Sequence, residues 1–297
     1  MFLRDAYVNG TFMACPEVIA HRGASAYAPE NTMPSFELAV SQQAGCVEHD
    51  LQITKDGVPV CLHDATLERT TNVREVFPER GRHVQEGNRT FQRWFVYDFT
   101  LAEIRRLDAG AWFAPGFAET RIPTFDELLE WSRKRVGVLT EIKDVEVYEA
   151  LGIDALTLCI DALRRHGHLA SPAGGEVTVQ SFHAGTVRHA FDRLAGRIPV
   201  ALLVEPEDWT LLRDREQVAA IARFANGVGP GKAIVGDRPQ VVEWAHEAGL
   251  RVTPWTFRAS AIGSFATLAA EIEHYLDAFH VDAVITDHPD AAVSTRL

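Results

Sequence analysis

Glu17-Val-Ile-Ala-His21, then Met33-Pro-Ser-Phe-Glu-Leu-Ala-Val-Ser-Gln-Gln43, then Cys46-Val-Glu48-His-Asp50-Leu-Gln-Ile-Thr54 are the stretches on which the fold turns. A short apolar run, a segment of helical period and a second apolar run make one strand–helix–strand unit. The same rhythm continues outward. Further candidate strands are Pro59–His63, Val136–Ile142, Val177–Phe182, Pro199–Val204, Val228–Gly229, Arg251–Phe257 and Ala283–Thr286. Helix-like stretches lie between them at Thr100–Leu107, Phe125–Arg135, Val147–His166, Ala184–Leu194, Arg215–Phe224, Pro239–Ala248 and Ala261–Phe279. Thr124 and Asp237 stand as start signals, and Gly249 as a C-terminal stop.

Repeated strand–helix alternation means a parallel sheet of the α/β class. Roughly eight units in 297 residues match a (β/α)₈ TIM barrel, which runs near 250 residues plus insertions. A doubly wound open sheet is the rival, but His21-Arg-Gly-Ala is not the glycine-rich phosphate turn such a sheet carries after its first strand. Residues 72–98, polar and rich in Arg and Gln, break the rhythm and read as a loop insertion after the second strand unit, with short elements around Phe91–Tyr97. It either roofs the mouth of the barrel or forms a peripheral flap. Without a linker or low-complexity tract, residues 1–297 read as a single domain.

The net charge, 29 − 41 = −12, opposes binding to nucleic acid or anionic membrane, so an anionic substrate needs a locally cationic site. Cys15, Cys46, Cys61 and Cys159 form no CxxC pair and read as buried, reduced thiols. Met1 to Cys15 holds no apolar core long enough for a signal peptide, and no apolar run approaches a membrane span; the expectation is a cytoplasmic protein. Oligomeric state is not legible.

Chemistry concentrates at strand ends. Glu48 and Asp50, two apart on a strand, point to one face. Two such acids either sit solvated or share a hard divalent cation, Mg²⁺ or Ca²⁺. Glu141, ending another apolar run, supplies a third carboxylate from a distant unit and favours the cation, while Lys143 points the same way. His21 ends the first strand, and His63 ends the strand after the Lys55-Asp56-Gly57 turn. Two histidines at matching positions beside acids suit proton transfer near neutral pH. Asp64 is placed to orient one of them, and Arg22 offers a planar fork for phosphate. Gln180, Glu205 and Trp255 would border the mouth, with Trp255 able to pack on an alcohol group. His49 and His183 should face away from the site.

These residues together resemble the glycerophosphodiester phosphodiesterase family. The ordered matches are His-Arg-Gly at 21–23, Pro-Glu-Asn-Thr at 29–32, Glu48-x-Asp50, Thr-Lys-Asp-Gly at 54–57 and His63-Asp64. Leu-Glu-Arg-Thr-Thr at 67–71, Glu-Ile-Lys at 141–143, Gln-Ser-Phe at 180–182, Pro-Trp-Thr at 254–256 and Ile-Thr-Asp-His-Pro at 285–289 follow. The resemblance implies a (β/α)₈ barrel that hydrolyses glycerophosphodiesters to glycerol 3-phosphate and an alcohol. It implies one divalent cation on Glu48, Asp50 and Glu141, with His21 and His63 as acid and base and Arg22 and Lys143 on the phosphate. Two other readings use the same residues. A lysophospholipase D-like activity would need an apolar entry, for which Phe91, Trp94, Phe95 and Tyr97 are candidates. A non-catalytic phosphate-ester binding module would have no use for a proton-transfer pair.

Overall fold

The computed structural model describes residues 18–170 and 177–295. Cys15, Glu17 and the leader expectation for Met1 to Cys15 lie outside them. The strands are β1 (Val18–Ala20), β2 (Cys46–Ile53), β3 (Pro59–Cys61), β4 (Arg82–Glu86), β5 (Arg89–Arg93) and β6 (Gly137–Ile142). They continue with β7 (Val177–Ser181), β8 (Val200–Val204), β9 (Gly227–Pro230), β10 (Arg251–Val252) and β11 (Val284–Thr286). Among the described residues one nine-stranded sheet runs β10-β9-β8-β7-β6-β2-β1-β11, with β3 paired to β2.

All the pairings along that path are parallel; β3 alone among the described strands of this sheet lies antiparallel, joined to β2 through the turn at Gly57. The two ends of the path meet. Asp282 N donates to Val252 O (2.9 Å), Ile285 N to Pro254 O (3.1 Å) and Phe257 N to Ile285 O (2.9 Å). The chain therefore folds as the expected (β/α)₈ barrel.

Burial follows from closure. All eight residues of β2 are buried, because one face looks into the barrel and the other against helices. On the outer face, Val47, Leu51 and Ile53 join Phe36, Ala39, Phe125, Leu128 and Leu129 in the main core. Inside the barrel, Ile19, Cys46, Leu139, Ala283 and Ile285 form a small apolar plug with Trp255 against it.

Several boundaries differ from the sequence reading. The helix expected over Val147–His166 is two, Val145–Ala150 and Ala155–Arg165. Gly152, at φ 73°, turns the chain between them, and the Asp154 side chain accepts from Thr157 N to start the second. The last long helix is shorter, Leu268–Asp277, started by Thr267. Asp237 is the last residue of a helix, Lys232–Asp237, and Pro239 caps the next. Thr124 forms the expected N-terminal cap, closed by Glu127. Gly249 takes φ 78°, as a helix stop requires.

Residues 72–98 are more ordered than a loop. They carry the helix Val73–Val76, a 3₁₀ turn at Pro78–Arg80 and the antiparallel hairpin β4–β5. Most of the hairpin's residues are exposed, so no alternation of buried and open residues marks it in the sequence. The same segment contributes Val73, Phe77, Trp94 and Val96 to a second core, which they form with Val60, Leu67 and Phe99, among others. No described helix is long and apolar enough to cross a membrane.

Candidate active site

At the carboxyl end of the parallel strands the inward positions change from apolar to charged. Register places Asp50 beside Glu141 and Glu141 beside Gln180. Glu48 and Asp50 share a face of β2, as their spacing requires. One carboxylate oxygen each from Glu48, Asp50 and Glu141 lies within 4.8 Å of the others, and all three residues are buried.

Such a cluster strains against its own charge. Burial pushes the Glu48 carboxyl well above its usual range, and the neighbouring Asp50 and Glu141 push it further. Glu141 is pushed up to about 7 by burial and by Asp50, against the pull of Lys143. Asp50 goes the other way. Although burial opposes it, Arg22, His63, Lys143 and the Asn31 amide hold it well below the ordinary carboxylate range. Its Oδ1 is buried without a hydrogen-bond partner. An orphaned oxygen among three buried acids fits a hard cation with oxygen ligands, the class to which Mg²⁺ and Ca²⁺ belong.

Cationic and amide groups brace this cradle. Arg22 N donates to Glu48 Oε2 (2.9 Å), and Arg22 Nε lies 3.1 Å from Asp50 Oδ2. Asn31 grips Asp50 twice: its Nδ2 donates to Oδ2 (2.8 Å) and its Oδ1 accepts from Asp50 N (3.1 Å). Lys143 Nζ stands 2.8 Å from Glu141 Oε1 and 3.3 Å from His63 Nε2. Each histidine is held by its Nδ1. His21 is 2.6 Å from Asp287 Oδ1, and His63 is 2.6 Å from Asp64 Oδ1. Nε2 is then the second nitrogen of each ring, and that of His63 already meets Lys143 Nζ. Burial and Arg22 lower the His21 pKa, with Asp287 opposing them.

One cleft is lined by His21, Arg22, Glu48, His63, Glu141, Lys143, Gln180 and Trp255, with Phe182, Glu205 and Arg258 on its walls. Asp50 sits just beneath. An ordered cluster of acids, histidines and cations thus stands at the mouth of a parallel barrel. Residues 21–291 match the model of the Glycerophosphoryl diester phosphodiesterase family.

The chain belongs to that family.

A glycerophosphodiester phosphodiesterase of Bacillus subtilis is 30% identical, covering 92% of this chain and 83% of its own. Another, from Caldanaerobacter subterraneus, is 30% identical over 93% of this chain and 96% of its own. Among solved structures, an Oleispira antarctica phosphodiesterase in complex with the product sn-glycerol-3-phosphate superposes with a TM-score of 0.72. It is 26% identical and covers 95% of this chain and 97% of that one. The chain is accordingly a phosphoric diester hydrolase with glycerophosphodiester phosphodiesterase function.

Within this family member the structure brings every site residue named from sequence into one place. His49 turns outward as expected, against Phe125 (ring centroids 5.0 Å) and Thr140 Oγ1 (3.0 Å). Burial lowers its pKa to about 4, so it is neutral packing. His183 caps the helix Ala184–Leu194. Trp255 is pinned by its indole N–H on Gly229 O (2.7 Å) and meets Phe182 edge-on. Lys232, unassigned from sequence, pairs with the buried Glu271 (2.5 Å). Sequence reasoning missed the roles of Asn31, Glu30, Arg69 and Asp287. Each lies in a quoted motif, but only folding shows what it touches. The insertion's aromatics do not form an apolar entry: Trp94 is buried in the second core, Phe95 stacks on Tyr97, and none lines the cleft.

Proposed function

We propose that the chain, as a single barrel domain, hydrolyses glycerophosphodiesters to glycerol 3-phosphate and an alcohol in a cation-dependent reaction with His21 and His63 as the proton-transfer pair. The observation that carries this is the pairing of two carboxylate-held histidines with a three-acid cradle on one cleft. Glu48, Asp50 and Glu141 would hold one divalent cation, which when bound supplies positive charge to offset that growing on the phosphate oxygens.

Arg22 and Lys143 are fixed by carboxylates in positions where they serve the same oxygens, and they cost little reorganisation when the charge develops. The Lys143 ammonium carries only donors, so its contact with His63 calls for an Nε2 lone pair with the proton on Nδ1, shared with Asp64. That is the form a proton acceptor needs. His63 then takes the proton of the attacking hydroxyl, whether of water or of the neighbouring glycerol carbon, and His21, charged in the complex by virtue of its Nδ1 contact with the Asp287 carboxylate, gives its Nε2 proton to the departing alkoxide. Trp255 and Phe182 give the alcohol or glycerol an apolar wall, and Gln180 a polar one.

The test is turnover of glycerophosphocholine by His21→Ala and His63→Ala, each expected to fall by roughly 10²–10⁴-fold, together with loss of wild-type turnover in a chelator. Near-normal turnover in both variants would sink the assignment.

A further inference from the structure

Glu30 and Asp64 are carboxylates that each already serve another group. Glu30 Oε1 accepts from Arg22 Nη1 (3.0 Å), and Asp64 Oδ1 holds His63 Nδ1 (2.6 Å). Between them stands one guanidinium. Arg69 donates to Glu30 through Nη1 (2.9 Å, to Oε2) and Nη2 (2.7 Å, to Oε1), and to Asp64 Oδ2 through Nε (2.5 Å). Its Nη2 also reaches Asp64 Oδ1 (3.3 Å). The links form an unbroken series: His63, Asp64, Arg69, Glu30, Arg22 and the cation cradle at Asp50.

From this geometry we propose that Arg69 is a positioning residue that couples the histidine at one side of the cleft to the phosphate-binding arginine at the other. The proposal rests on the roles given above to His63 and Arg22. Arg69 does not line the cleft, so it acts through Asp64 and Glu30 rather than on the substrate. It holds both carboxylates at fixed orientation and cancels part of the charge that would otherwise pull His63 and Arg22 out of line. Only a planar fork with several donors can satisfy two carboxylates at once; a lysine brings a point charge.

The segment that carries Arg69 is itself anchored. Leu67 N donates to Trp94 O (2.8 Å) and Thr71 Oγ1 to Leu67 O (2.6 Å), with Leu67 buried in the second core. The ordered region at residues 72–98 thus serves the site from behind: its core holds the loop that presents Arg69.

Arg69→Met, Arg69→Lys, Asp64→Asn and the double variant Asp64→Asn/Arg69→Met test this, with glycerophosphocholine turnover normalised to folded protein and Tm measured for each. The expectation is that Arg69→Met lowers kcat by roughly tenfold to 100-fold, in line with losses on removing groups that orient site residues, and that Arg69→Lys recovers part of it. Asp64→Asn and the double variant should fall by similar factors, because both break one series. Losses that multiply in the double variant, or a fall in Tm with kcat per folded molecule unchanged, would overturn the coupling. If His63→Ala is itself active, the functional reading fails instead.

Discussion

Ile19, Cys46, Leu139 and Ile285 line the barrel interior near its base, and His21, Glu48, Glu141 and Asp287 stand two residues further along the same four strands. Both rings point inward, yet one is an apolar plug and the other a set of ionisable groups. The step of two residues, one strand repeat, is all that separates packing from chemistry. His21, Glu48 and Glu141 line the cleft, with Ile285 alone of the lower four reaching its floor, so packing is concentrated in the lower ring and function in the upper.

Substitutions in the two rings should therefore fail in opposite ways. The largest effect is expected from Asp50→Ala. Loss of a carboxylate fixed by Asn31, Arg22 and Lys143 should lower turnover by about 10²–10³-fold while the far-ultraviolet spectrum stays native; steady-state kinetics and circular dichroism decide it. Leu139→Ala sits directly below Glu141 and should do the reverse. A Leu→Ala change in a buried core destabilises by about 2–5 kcal/mol, read by urea unfolding, with turnover per folded molecule little altered. Equal damage to both properties from either variant would erase the distinction between the rings.

A smaller effect concerns pH. Glu141 is raised to about 7 and Glu48 well above its ordinary value, so the cation-free cradle holds protons that an unfolded chain would have lost. Because these folded-state values lie above the unfolded ones, the stability they contribute is present at acid pH and lost as pH rises toward 7. A cation must displace those protons. Its apparent affinity should fall by about tenfold per pH unit below 7 for each proton displaced, so titration calorimetry with Ca²⁺ or Mg²⁺ at pH 6 and 8 should give clearly weaker binding at pH 6. Affinity independent of pH would show that the acids are ionised before the cation arrives. The smallest effect belongs to the boundary between the rings. Trp255→Phe removes the hydrogen bond to Gly229 O and should destabilise by about 1 kcal/mol, with a modest rise in KM for glycerophosphocholine.

The upper ring was legible in the sequence for a local reason. Glu48-x-Asp50, Glu141-x-Lys143 and the histidines at strand ends all obey the two-residue repeat, so direction could be read without knowing the fold. The partners of those groups were not legible in the same way. Asp287 meets His21 across 266 residues of sequence, and Arg69 joins Glu30 across 39; such pairings exist only once the barrel closes. The hairpin β4–β5 escaped because its strands bury neither face, although Gly87-Asn88 between them is a turn signal. The split at Gly152 was visible as a glycine within a helical run, but its left-handed conformation was not.

The Tyr148 hydroxyl, in the helix after β6, accepts from Ile53 N (2.8 Å) and donates to Gln52 Oε1 (2.5 Å), while Gln52 Nε2 donates to His63 O (2.9 Å) and Asp144 Oδ2 (2.6 Å). The Gln52 amide that holds the His63 carbonyl is therefore itself oriented by Tyr148 and Asp144, from a later unit of the barrel. Anyone transplanting the first two strands and their hairpin into a foreign barrel would carry over both histidines, two of the three acids and Gln52, yet leave behind the Tyr148 and Asp144 side chains that hold the Gln52 amide in place.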